Sequence, residues 1–189
     1  MARMESLAPQ RWTETANAPP RSKAKWISLD DLREPQPKAA LAYWLAKRGE
    51  RLMPHPKDIS PAEIPKLLPY LSLVDFVPGP PPDYFYRIEG DTVRTAIGFN
   101  RMGHHFSDFR DYLGPVYPRA VDRLQCAFAS SVPLAQTSML SGLGRSFYTI
   151  EIVFLPYSVE GNKVDRIMMC MGLLQRPEYR FNAGELFKA

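Results

Sequence analysis

From residue 71 onward, apolar residues recur at every second position in short runs, and proline or glycine stands between the runs. A period of two marks a strand with one face buried, and proline cannot donate to an interior ladder. Residues 71–76 form the first run, closed by Val77, Pro78, Gly79 and three consecutive prolines before Asp83. Residues 84–89 form the second, with Tyr84, Tyr86 and Ile88 expected on one face. Residues 134–140, 145–157 and 164–174 complete the set. In the longest, Tyr148, Ile150, Ile152 and Phe154 alternate against Phe147, Thr149, Glu151 and Val153. In the last, Ile167, Met169, Met171 and Leu173 share a face. Residues 141–144 and the trio Glu160, Gly161, Asn162 supply the turns.

Elsewhere the spacing switches to three and four, the helical period. Residues 38–48 place Leu41, Trp44 and Leu45 together, with Lys47 and Arg48 at the negative end and Gly49 as the cap. Ser60, Pro61, Ala62 and Glu63 read as a capping box that opens a second helix. Ile64, Leu67 and Leu68 would be its apolar side, Pro69 its stop, and Pro65 a kink. Gly90 and Asp91 open a brief helix carrying Val93, Ala96 and Ile97. Residues 116–130 form a longer one, with Tyr117, Val121, Leu124 and Phe128 as the stripe and Arg119 and Arg123 outward. Five antiparallel strands with helices inserted after the second make an α+β layout. Pattern alone leaves several topologies open.

The 189 residues suit one domain of ordinary size with unstructured ends. Proline is frequent, at 19 residues, and apolar periodicity is missing before residue 38. Residues 1–37 therefore read as a flexible leader, 38–175 as the domain and 176–189 as a polar tail. Within the leader, Trp26 to Leu29 is expected to dock on the folded body. The formal charge is +4, with 24 basic and 20 acidic residues interspersed. So mild an excess argues against nucleic acid as a partner. Cys126 and Cys170 form no C-x-x-C motif, which suits a reducing cytoplasm. No signal-peptide pattern opens the chain, and no apolar run reaches the ~20 residues needed to span a bilayer. A soluble, cytoplasmic protein is expected.

The stretch from Leu41 to Leu174 resembles a bacterial family of PAS-like domains common in alphaproteobacteria, the PAS_5 type. The resemblance is carried by Tyr43 and Trp44, by the run from Arg48 to Pro54, and by the run from Asp58 to Ile64. It continues through Leu67, Leu68 and Pro69, the run from Tyr86 to Asp91, Gly98, Gly103, and Leu155 with Pro156. Met102 precedes Gly103 where that family usually has a threonine. The resemblance implies a five-stranded sheet in the order 2-1-5-4-3, a pocket between sheet and helices, and helical segments N-terminal to the core. It also implies a role in sensing, dimerisation or partner binding.

Residues that would carry catalysis are sparse. His104 and His105 are adjacent, so their side chains diverge, and no H-E-x-x-H or Cys/His cluster accompanies them. No metal site is expected. Haem-binding PAS domains present a histidine on the long helix, and residues 116–130 contain none. The sequence around Cys126 does not resemble the asparagine-cysteine-arginine motif of flavin-binding relatives, so a small buried thiol is expected there and at Cys170. Any other cofactor is left open. Candidate pocket residues are Tyr86, Ile88, His104, Phe106, Tyr117, Val121, Leu124, Phe128, Tyr148, Ile150 and Ile152. The same aromatics could simply fill a core.

The chain thus reads as a sensory or interaction module without catalysis, binding a small ligand, a signalling partner, or both. Leu41, Trp44 and Leu45, or an exposed sheet face, would be the partner surface, and homodimerisation through them is expected. Two rivals stand beside this reading. One is a structural dimerisation or scaffold protein with a filled core. The other is an unrecognised enzyme using His104 or His105.

Overall fold

In a computed structural model of the chain, residues 24–140 and 145–175 are described, with backbone alone for residues 145–148 and 175. The turn read at residues 141–144 lies outside them, as do residues 1–23 and 176–189. Six strands form one antiparallel sheet: β1 (Lys25–Ile27), β2 (Leu71–Val77), β3 (Asp83–Glu89), β4 (Leu134–Leu140), β5 (Arg145–Tyr157) and β6 (Arg166–Gln175). Their order is β1-β4-β5-β6-β2-β3. Without β1 this is the implied 2-1-5-4-3 arrangement read from the opposite edge. The sixth strand is the difference. Trp26 sits opposite Gln136 of β4 and its ring meets Phe154 at 5.7 Å, so the tract from Trp26 onward does dock on the body. Regular structure therefore begins upstream of residue 38.

The helices are α1 (Pro35–Arg48), α2 (Asp91–Ile97), the single turn α3 (Arg110–Leu113) and α4 (Tyr117–Ala129). Prolines at the first turn start α1, where their missing N–H costs nothing, and Gly49 ends it with φ at 56°. The expected second helix does not form. Residues 61–63 and 68–70 are separate 3-10 turns, and Ser60 makes no capping hydrogen bond. Pro65 and Pro69 each remove a donor and crowd the preceding turn, which outweighs the start signal.

The central strands β5 and β6 alternate between two covered faces. On the inner face, Ile150 and Met171 pack with Val93, Ala96 and Ile97 of α2. One residue along, Glu151 and Gly172 face outward as a cross-strand pair. One carboxylate oxygen makes both contacts: Glu151 Oε2 accepts the backbone N–H of Arg33 at 2.9 Å and of Glu34 at 2.8 Å. Gly172 leaves room for α1, since a Cβ there would lie 2.3 Å from Glu34 Cβ. Trp44 is 0% exposed and its Nε1 donates to the Pro156 carbonyl at 2.7 Å. The N-terminal helix thus lies flat on the outer face of β5 and β6, while α2 to α4 cover the inner face. Among the described residues, α1 occupies the outer face of β5 and β6. Trp44, read as an interface residue, is instead a core residue; Leu41 is half-buried against that core and Leu45 is exposed.

Candidate functional site

The inner face of β2 and β3 carries the main polar feature of the interior, and a strand irregularity creates it. Leu73 pairs with Ile88 and Val74 with Tyr86, so Arg87 is an extra residue in β3. Such a bulge reverses the alternation beyond it. Tyr84 and Tyr86 face inward, but Ile88 is turned to the outer face, 43% exposed beside Leu68 and Leu73. Glu89 takes the inward position that the simple alternation assigns to Ile88.

The Glu89 side chain is 0% exposed and meets Arg101, whose side chain is 13% exposed. Arg101 Nε donates to Glu89 Oε1 at 2.7 Å, its second nitrogen donates to the same oxygen, and its backbone N–H donates to Oε2 at 2.7 Å. The third guanidinium nitrogen donates to the Tyr86 hydroxyl at 3.1 Å, while the guanidinium carbon lies 4.2 Å from the Tyr86 ring centroid. Burial alone would lower the Arg101 pKa, but Tyr86 and Glu89 beside it raise it on balance. Burial pushes the Tyr86 phenol up, against the pull of Arg101. The loop after α2 is thereby tied to the sheet, and its next residues extend the β3 edge. Tyr86 N–H donates to His104 O at 3.0 Å and Gly103 N–H to Tyr86 O at 2.7 Å. Met102, which precedes Gly103 where the resembling family usually has a threonine, is exposed.

Between β3 and α4 stand two ring pairs. Tyr84 stacks on Phe128 at 5.3 Å and Phe106 stacks on Tyr117 at 5.2 Å. Phe76 and Tyr86 join them edge-on or tilted. Of the candidate pocket residues, Tyr86, Phe106, Tyr117, Val121, Leu124 and Phe128 are brought together in this cluster. Ile150 belongs to the neighbouring cluster under α2, and Ile152 touches both. The Tyr148 side chain lies outside the described residues. His104 is half-exposed in the loop, its Nδ1 3.7 Å from Asp108, and its ring meets Phe109. Arg123, expected to point outward, is half-buried.

Two groups outside the candidate pocket residues, Tyr84 and Asp83, complete the site. Tyr84 is 1% exposed, yet its hydroxyl has no hydrogen-bond partner. Burial first, then Asp83, Tyr117 and Cys126 nearby, push its pKa up to about 12, so it is a neutral donor. Asp83 accepts the Tyr84 and Ser107 backbone N–H groups and the Ser107 hydroxyl at 2.5 Å. His105 Nδ1 is 3.6 Å from the same carboxylate. Serine therefore donates to the acid and not to the histidine, which is the wrong order for a nucleophilic relay. Cys126, expected buried, is exposed on α4, because it lies two residues from Leu124 and Phe128 on neither side of their stripe. Cys170 is buried, which lifts its thiol to about 12 and leaves it unreactive. Among the described residues no group of three or more His, Cys, Asp or Glu could hold a metal ion, and no helix is long and apolar enough to cross a membrane.

A sheet in 2-1-5-4-3 order, helices over its inner face and a family model for the PAS domain matching residues 32–174 agree with one another. The chain belongs to the PAS domain family. This makes it a module of the sensory and signalling class. Neither the curated proteins nor the solved structures compared with it contain a match.

Proposed function

We propose that this PAS domain is a non-catalytic sensor that takes a small ligand on the inner face of its sheet and passes the change to a protein partner through α1. One observation carries the reading. Strand β5 is engaged on both sides at consecutive residues: Ile150, Ile152 and Phe154 pack inward, while Glu151 grips the start of α1 and Pro156 accepts from Trp44. A shift of the inner side chains therefore bears on α1 through a single strand, and closely packed interiors transmit such shifts. The partner surface would be the exposed side of α1, with Leu45 and the following Leu52, and a second copy of the chain is one candidate for it.

A second reading is favoured by the stacked rings, which occupy the space between α4 and β3. On that reading the protein is a scaffold with a filled interior. A thermal-shift screen of the full chain against metabolites and nucleotides separates the two. Discrete compounds that raise the midpoint in proportion to log concentration support the sensor. A screen without any such compound supports the scaffold. On the sensor reading, changing His104 and His105 to alanine leaves the ligand response intact, and loss of a turnover activity in those variants would restore the enzyme.

A further inference from the structure

The bulge in β3 acts on both faces of the sheet. Arg87 and Ile88 are consecutive, yet both lie on the outer face, whereas a regular strand would send one of them inward. Ile88 stands on an apolar groove that no residue of α1 lines. The turns before β2 supply Ile59, Ile64 and Leu68 to it, and the strands supply Leu73, Ile88 and Met168. Leu73 and Met168 are buried, while Leu68 and Ile88 are exposed. The open volume is about 30 Å³, room for the tip of one side chain, whereas small-molecule sites run to about 300 Å³ or more. The turn side is held in place from α1. The Tyr43 hydroxyl donates to the Asp58 carbonyl at 3.1 Å and accepts the Ser60 N–H at 2.8 Å, and Lys47 pairs with Glu63 at 2.6 Å.

The charges around this groove do not balance. Asp58 is taken by Arg51 and Glu63 by Lys47. Asp75, two residues along β2 from Leu73, serves both Arg87 and Arg166, which leaves one positive charge over. Lys57 and Lys66 are exposed and form no ion pair with any described residue. An apolar groove with an unmatched basic rim suits an acidic partner, and its held walls lower the cost of binding one. We propose that the outer face of β2 and β3 docks a short acidic segment of a partner protein, which seats one branched aliphatic side chain beside Leu68 and Ile88 and sets carboxylates against Lys57, Lys66 and Arg87. A second copy of the chain does not suit the site, because a two-fold contact would bring the basic rim against itself. The surface is complete whether or not the interior holds a ligand, so the proposal is independent of the sensor reading.

The test selects random peptides of about twelve residues, displayed on phage, against the full chain, and titrates the enriched ones as synthetic peptides by fluorescence anisotropy. The enriched peptides should combine a leucine, isoleucine or valine with two or more acidic residues. They should bind about tenfold more weakly to Ile88→Asp, and about tenfold more weakly to the double variant Lys57→Glu with Lys66→Glu. The double variant changes exposed side chains only and keeps the test decisive if Ile88→Asp folds poorly. No enrichment, enriched peptides without an acidic excess, or affinity unchanged in the double variant overturns the proposal. A fall in oligomeric mass of the full chain on Ile88→Asp would give the groove to a second copy. Shifted amide signals from residues 176–189 in that variant would give it to the chain itself, and either result overturns the proposal.

Discussion

Glu89 and Arg101 form a largely buried ion pair, with three of the carboxylate's contacts coming from the one arginine. The pair ties the loop after α2 to β2 and β3. Removing one member strands the other charge, which typically costs about 3–5 kcal/mol, while replacing both by apolar groups of similar volume is often tolerated. Glu89→Ala should therefore lower the unfolding free energy by about that amount. The double variant Glu89→Leu with Arg101→Met should recover most of it. Urea unfolding of the three proteins checks both statements.

Trp44 is a core residue on this account, so Trp44→Ala should lose about 3–5 kcal/mol through cavity formation and the orphaned Pro156 carbonyl. Thermal melting with light scattering decides the matter. A variant with unchanged melting and altered oligomeric state would return Trp44 to the surface.

Gly90 packs so closely on the turn before β2 that a Cβ would lie 2.3 Å from the carbonyl oxygens of Leu68 and Pro69. Both atoms are backbone, so relief requires moving the turn. Gly90→Ala should be destabilised by about 1–3 kcal/mol or more, measured by denaturant midpoint. An exposed glycine such as Gly161, where the same Cβ meets nothing, tests only its positive φ and should cost less.

Alkaline pH should weaken the fold. Burial raises the pKa values of Cys170 to about 12 and Tyr84 to about 12, and raises that of Tyr157 as well. In the unfolded chain these groups lose protons from about pH 8.5 for the thiol and about pH 10 for the phenols. Between those values and the raised ones the folded state holds more protons than the unfolded state, so stability falls as pH rises. Urea midpoints should decline steadily from pH 9 to pH 11. Cys170→Ala should be less stable at neutral pH but show a shallower decline.

Much of the architecture was legible from period and punctuation, and the errors have local causes. Most strands from residue 71 onward follow the alternation because they pack against a definite layer, and α4 follows its stripe, whereas α1 buries Pro37, Ala40 and Trp44 and leaves Leu45 exposed. The Ser60 start signal failed because two nearby prolines forbid the helix it would open. The site was harder to see. One bulged residue, Arg87, exchanges the roles of Ile88 and Glu89, and a period-two reading has no means of placing a bulge. The Glu89 side chain was within reach of inference only through the run from Tyr86 to Asp91 that carries the family resemblance. Arg101 gave no sign at all, because it comes from a loop twelve residues away. Trp44 was misplaced for a different reason: an amphipathic helix declares that one face is buried, and nothing in its sequence says whether the cover is its own sheet or another molecule.

The account stands or falls on coupling across β5, and the Trp44 indole N–H reports it directly because it is bonded to the Pro156 carbonyl of that strand. Its resonance should be followed in the full chain during titration with each compound that raises the melting midpoint. Movement of the Trp44 indole signal together with the Ile150 and Ile152 methyl signals, at the same ligand concentrations, is the predicted result. Inner-face methyls that respond while the Trp44 signal stays fixed would contradict it.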